Sequence, residues 1–258
     1  MQALSREEGA AGKPRTYILV HGAWHGGWVW KGIAANLRAI GHLVYAPSLT
    51  GLGDRCHLLR PGINLDTHTD DIVNLIKMED LDDVILVGWS YGGMVISNVV
   101  AAIPEKIASL VYLDAFVPEP GRSLLNYTTY ANVLEEAIQD AMAGRDLPPI
   151  SLERMGVEDQ RIIDYVTPKL TPQPVMTMIQ ASRALAEPPA VPLIYVYAAR
   201  NQSPTFAQFL NKYEQDEKAI THVIDTSHVM MLTDPAGTLD VLANVPVRRR
   251  ESVMGHSA

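Results

Sequence analysis

The chain has 258 residues, with 21 Lys and Arg against 29 Asp and Glu, a formal charge of −8. At 47% hydrophobic and 19% charged residues it can bury a large core unaided, which excludes a disordered chain and makes a disulfide or metal scaffold unnecessary. The net negative charge opposes polyanions, so no nucleic-acid partner is expected.

Cys56 is the only cysteine, so no internal disulfide can form, and no signal-peptide stretch or run of ~18 apolar residues appears. A cytoplasmic location with no membrane association is the expectation. Residues 1–14 and 248–258, the latter holding the basic run Arg248 to Arg250, read as solvated tails.

In chain order, short apolar runs at 16–22, 42–48, 83–90 and 109–115 alternate with helix-like segments at 31–40, 69–78 and 91–103. After a gap the runs resume at 191–199 and 221–228, around a helix at 205–217. Alternation of this kind predicts a parallel α/β sheet, and the lack of polar alternation within the runs predicts strands covered on both faces. The gap is bounded by the proline-rich stretches "VPEPG" and "EPPAVP", which mark boundaries. The expected organisation is a core over 15–117 and 188–247 with a helical cap over 118–187, inserted after the strand ending at Asp114.

Gly88-Trp89-Ser90-Tyr91-Gly92 matches G-x-S-x-G between a strand and a helix, where a sharp turn needs small neighbours and lifts the serine Oγ clear of the sheet. A serine hydroxyl needs a base within reach and a carboxylate to orient that base. His228, just past the last strand, is the expected base by the chain order serine, acid, histidine. His222, within that strand, reads as a packed or hydrogen-bonded structural residue, and His42, His57 and His68, in connections, as structural or surface residues. The Gly-lined turn "HGAWHGGW" at 21–28 suits an oxyanion hole, with the backbone amides of Ala23 and Tyr91 as donors and His21 as a buried anchor. Trp24, His25 and Trp89 are the expected substrate-pocket lining. The cap residues Tyr127, Tyr130, Met142, Met155, Tyr165, Met176 and Met178 are compatible with an adaptable apolar pocket.

With "YILVHGAWHGGW", "GHLVYAPSLTGLGDR", "VILVGWSYGGMVI", "LVYLDAFVPEPG" and "HVMMLTDP", the chain resembles the α/β-hydrolase fold. Within it, the resemblance is to the small branch of plant methylesterases, hydroxynitrile lyases and bacterial carbendazim-type esterases. The resemblance implies a triad of Ser90, an acid and His228, with no cofactor; no metal-ligand spacing appears either. In most such hydrolases the acid follows the strand matching "LIYVYAA", but here Arg200, Asn201, Gln202, Ser203 and Pro204 follow. Asp114, at the end of "LVYLD", is the expected acid instead. Lyases of the branch use a lysine beside the histidine, whereas Val229 and Met230 follow His228.

The expected activity is hydrolysis of a small to medium apolar or aromatic ester, such as a methyl ester or methyl carbamate, through an acyl-enzyme. The alternatives are a cofactor-independent ring-cleaving dioxygenase of the same fold and a receptor-like ligand-binding module. The sequence leaves open whether a homodimer forms.

Overall fold

Continuous apolar runs need cover on both faces, and the computed structural model, which describes residues 13–128, 133–187, 190–201 and 203–248, provides it. The strands are β1 (Thr16–Val20), β2 (Leu43–Tyr45), β3 (Val84–Trp89), β4 (Ile107–Leu113), β5 (Leu193–Ala198) and β6 (Ala219–Ile224). They form one all-parallel sheet in the order β2-β1-β3-β4-β5-β6. The helices are α1 (Lys31–Ala39), α2 (Leu65–Met78), α3 (Gly92–Ala102), α4 (Val133–Met142), α5 (Gln160–Val166), α6 (Met176–Ile179), α7 (Pro204–Glu214), α8 (Met230–Thr233) and α9 (Pro235–Ala243).

Side chains alternate between the two faces of a strand, so β1 feeds two cores. Ile18 and Val20 join residues of α2, α3 and α7 on one face, while Tyr17 and Leu19 join α1 and α9 on the other. Every residue of β3 and β4 is buried. α3 is apolar almost all round, and Gly92 to Val100 are buried without a break. It therefore carries the serine turn on a support shielded from water.

Three local features depart from the sequence reading. α2 begins at Leu65 rather than 69, because Asn64 and Thr67 close a capping box over its first turn,. That extension places His68 inside a helix instead of a connection. β6 is the sheet edge and only partly covered, with His222 exposed rather than packed and Val223 57% exposed. Arg248 is not free tail: its amide donates to Ala108 O and its guanidinium to Glu105 O.

Between β4 and β5 lie α4, α5 and α6. Met142, Tyr165 and Met176 point outward, Met142 at 84% exposure, whereas Met155 and Met178 are buried and Tyr127 packs between Phe116 and Phe209. In α4 Ala137 is buried while Ile138 and Met142 are exposed, a division that sequence spacing alone did not resolve. Tyr130 lies outside the described residues, as do 1–12 and 249–258. Among the described residues no helix is long and apolar enough to cross a membrane.

Candidate active site

The site lies beyond the carboxyl ends of the strands, where ligands of open α/β sheets bind. Ser90 follows β3 directly and has φ 55°, a left-handed conformation that costs a non-glycine residue about 1–3 kcal/mol and persists only when its surroundings enforce it. They do. Ser90 N–H donates to Leu113 O, and Ser90 O accepts from the amides of Gly93 and Phe116. The turn also needs bare glycines: a Cβ on Gly88 would lie 2.7 Å from Gly92 O, and one on Gly93 would lie 2.1 Å from Phe116 O.

Asp114 follows β4, the neighbour of β3, and is strained in the same way, with φ 43°. Its amide donates to Val196 O at 2.6 Å and its fully buried carboxylate turns over the end of β5, where Oδ1 accepts from Ala198 N–H at 3.3 Å. Oδ2 accepts from His228 Nδ1 at 2.6 Å. A carboxylate is acceptor-only when ionised, so this bond places the proton of neutral His228 on Nδ1 and leaves Nε2 as the basic nitrogen. The His228 backbone is clamped as well. Its amide donates to Met155 O at 3.0 Å and its carbonyl accepts from Trp89 Nε1 at 2.7 Å, while its ring stacks on Phe206.

Asn201 is the residue that sequence reasoning passed over. It is buried after β5, with Nδ2 2.5 Å from Asp114 Oδ2 and 3.1 Å from His228 Nδ1. The position that lacked a carboxylate therefore holds a neutral donor to the same carboxylate oxygen that receives His228. The missing acid after "LIYVYAA" was itself the signal.

On the opposite side, residues 21–25 wrap against Ser90, since a Cβ on Gly22 would lie 2.9 Å from Ser90 Cβ. His21 is buried: Nδ1 bonds Gly22 O at 2.8 Å and Nε2 accepts from Leu49 N–H at 3.0 Å. Gly22 O and Ala23 N–H belong to one trans peptide and point in opposite directions, so His21 fixes the direction of the Ala23 amide. Among the described residues neither the Ala23 amide nor the Tyr91 amide has a hydrogen-bond partner, which leaves both available to an anion.

His25 and Trp89, expected to line the pocket, are instead buried at 0% and 1% exposure. The His25 ring meets Trp89 edge-on at 4.8 Å and its Nδ1 bonds Ala23 O at 2.7 Å, so it anchors the turn from within. Trp24, half-buried with φ 63°, joins the turn to the 118–187 segment. Burial holds His21 down to about 3 and His25 to about 4, with His228 nearby lowering His25 further. Both stay neutral near pH 7 and keep the tautomers their bonds require. His68, held to about 4 by burial, bonds Tyr91 Oη and Thr50 O, both at 2.8 Å. Asp225 pairs with Arg200 on the surface, and Asp234 caps α9, so neither competes with Asp114 for His228.

A parallel sheet with a strained serine at a strand-to-helix turn, and a buried Asp–His pair at neighbouring strand ends, is the arrangement of an α/β hydrolase. The alpha/beta hydrolase family model matches residues 17–241, and the chain belongs to that family. It is 58% identical over 109 residues to the carbendazim hydrolyzing esterase of Nocardioides sp. (strain SG-4G), covering 42% of this chain and 45% of that protein. It is 26% identical over 212 residues to pheophorbidase of Raphanus sativus, covering 76% and 80% respectively. The first of these matches spans less than half of the relative's length. Among solved structures, an extracellular alpha/beta-hydrolase from a Paenibacillus species is similar, with TM-score 0.72 and 25% identity over 89% of this chain and 98% of that one.

Proposed function

We propose that the chain is a serine hydrolase that cleaves a small to medium apolar or aromatic ester, a methyl ester or methyl carbamate being the favoured type. The observation that carries this reading is the 2.6 Å bond from His228 Nδ1 to Asp114 Oδ2 beside a serine held at φ 55°. Ser90 Oγ attacks the ester carbonyl carbon, and its proton passes to His228 Nε2. The carbonyl oxygen takes up negative charge against the free amides of Ala23 and Tyr91, each worth about 3–4 kcal/mol in the barrier. The tetrahedral species collapses, His228 returns the proton to the leaving alcohol oxygen, and an acyl-Ser90 remains. Water then attacks that acyl carbon, giving its proton to His228, and Ser90 departs with a proton from His228 as the acid is released.

Among the described hydrogen bonds none joins Ser90 Oγ to His228, and such bonds commonly tighten only when substrate arrives. The relatives named as an esterase and methylesterases support the ester class. Val229 and Met230, the residues after His228, are buried in the second core, which leaves no cation there for lyase chemistry. The 118–187 segment reaches Trp24 and His228 by hydrogen bonds, in keeping with a cap over the site.

The test is turnover of short-chain nitrophenyl esters by wild type and Ser90→Ala. Turnover lost by at least about 10³-fold in Ser90→Ala supports the proposal; equal rates in the two proteins overturn it. The acid on β4 also suits the ring-cleaving oxygenase reading. Oxygen uptake with a heterocyclic substrate, in a protein inert to esters, would favour that reading.

A further inference from the structure

The oxyanion turn contains a tryptophan where the backbone would favour glycine. Trp24 has φ 63°, and a bulky residue keeps that conformation only if neighbours hold it. Three hydrogen bonds at its two peptides and one at its indole do so. Ala23 O bonds His25 Nδ1, and Trp24 N–H, on the same peptide, donates to Gln173 Oε1 at 3.0 Å. Trp24 O accepts from Thr171 N–H at 2.9 Å, and Trp24 Nε1 donates to Leu147 O at 3.2 Å. Three of these four partners belong to the 118–187 segment.

Gln173 is the polar side chain at the centre of this clamp. It is fully buried, its Nε2 donates to Thr177 Oγ1 at 2.7 Å, and its backbone pairs with Leu147 in both directions at 2.9 Å. A buried amide this fully satisfied is rigid, and removing one partner leaves the other unpaired. The Thr177 hydroxyl in turn donates to Pro174 O, so the clamp on Trp24 is tied into the backbone of the inserted segment.

We infer that Gln173 is a positioning residue for the oxyanion hole: by holding Trp24 N–H it fixes the left-handed turn that presents the Ala23 amide to the reacting carbonyl. This inference rests on the hydrolase reading above. It makes the inserted segment part of the catalytic geometry, because without the Gln173 contact the turn carrying the Ala23 donor is held only by His21, His25 and the Thr171 and Leu147 bonds, while the Asp114–His228 bond is not touched.

The experiment compares wild type, Gln173→Met and Gln173→Glu with nitrophenyl esters and with phenylboronic acid, which forms a tetrahedral anion on an active serine. Gln173→Met keeps the bulk and loses the acceptor. Its kcat should fall about 10- to 100-fold, the range for a misplaced catalytic group, with KM moved less than about 3-fold. Boronate affinity should fall by the same factor as kcat/KM. Gln173→Glu keeps an acceptor for Trp24 and should stay within about 5-fold of wild type in kcat, despite a lower Tm than Gln173→Met. Unchanged kcat in Gln173→Met, a loss confined to KM, or variants that rank in activity as they rank in Tm would overturn the inference and leave the hydrolase reading standing. A wild type that neither turns over esters nor binds boronate overturns both.

Discussion

The two sides of the site are held by different physical means. On the acid–base side, Asp114 and Asn201 end neighbouring strands, β4 and β5, and the ladder that pairs Leu113 with Val196 sets their separation. On the oxyanion side a loop of five residues is held by two of its own side chains and one from the inserted segment, with His21 on Gly22 O, His25 on Ala23 O and Gln173 on Trp24 N. The first device inherits its accuracy from the sheet. The second needs buried polar groups that hold particular backbone atoms, and is correspondingly sensitive to losing one.

Ser90→Ala gives the largest effect of all, and Asp114→Asn should follow with a loss of about 10³- to 10⁴-fold in kcat, because the amide removes the acceptor that orients His228. Steady-state kinetics on folded protein measures this, and a loss under tenfold would move the acid elsewhere. The sheet-based side makes a sharper forecast. Asn201 Nδ2 lies 3.1 Å from His228 Nδ1, so Asp114→Asn/Asn201→Asp should recover at least tenfold over Asp114→Asn alone, while Asn201→Asp alone should lose activity by placing two carboxylates against each other. If the double variant is no better than Asp114→Asn, His228 is not held as described.

A smaller effect concerns the elbow. Gly93→Ala would drive a methyl to 2.1 Å from Phe116 O and should cost about 3 kcal/mol of stability, measurable as a lower urea midpoint. An unchanged midpoint would mean that α3 can move away from the Phe116 strand end.

The loop side carries a pH signature. His21, His25 and His68 are held at about 3, 4 and 4 by burial, whereas unfolded histidine titrates near ~6.5. The unfolded chain therefore binds more protons below pH 6.5, and stability is full above that pH and falls as the pH drops toward 4. Urea midpoints taken from pH 7 to pH 4.5 should decline with uptake of up to about three protons on unfolding. A flat profile would show that these rings are not buried and neutral.

Much of the core was legible because parallel strands read as apolar runs and the serine turn carries its glycines in sequence. Ser90 and His228 stood out because each follows an apolar run, and Asp114 through the family resemblance; the structure joins Asp114 to His228. Gln173 and Asn201 did not stand out, since an amide says nothing about its partner until folding brings residues 149 and 87 positions apart together. The burial of His25 and Trp89 was not legible either: aromatic rings beside a catalytic motif suggest a pocket wall, and the structure packs them against each other and Trp89 against His228.

The most direct test of the triad is intact-protein mass spectrometry after exposure to a fluorophosphonate, run on wild type, Ser90→Ala and Asp114→Asn. A single adduct mapping to Ser90 in wild type, none in Ser90→Ala and labelling slowed by at least about 10²-fold in Asp114→Asn is the predicted result. No adduct on wild type, or an adduct on Ser90→Ala, would contradict it.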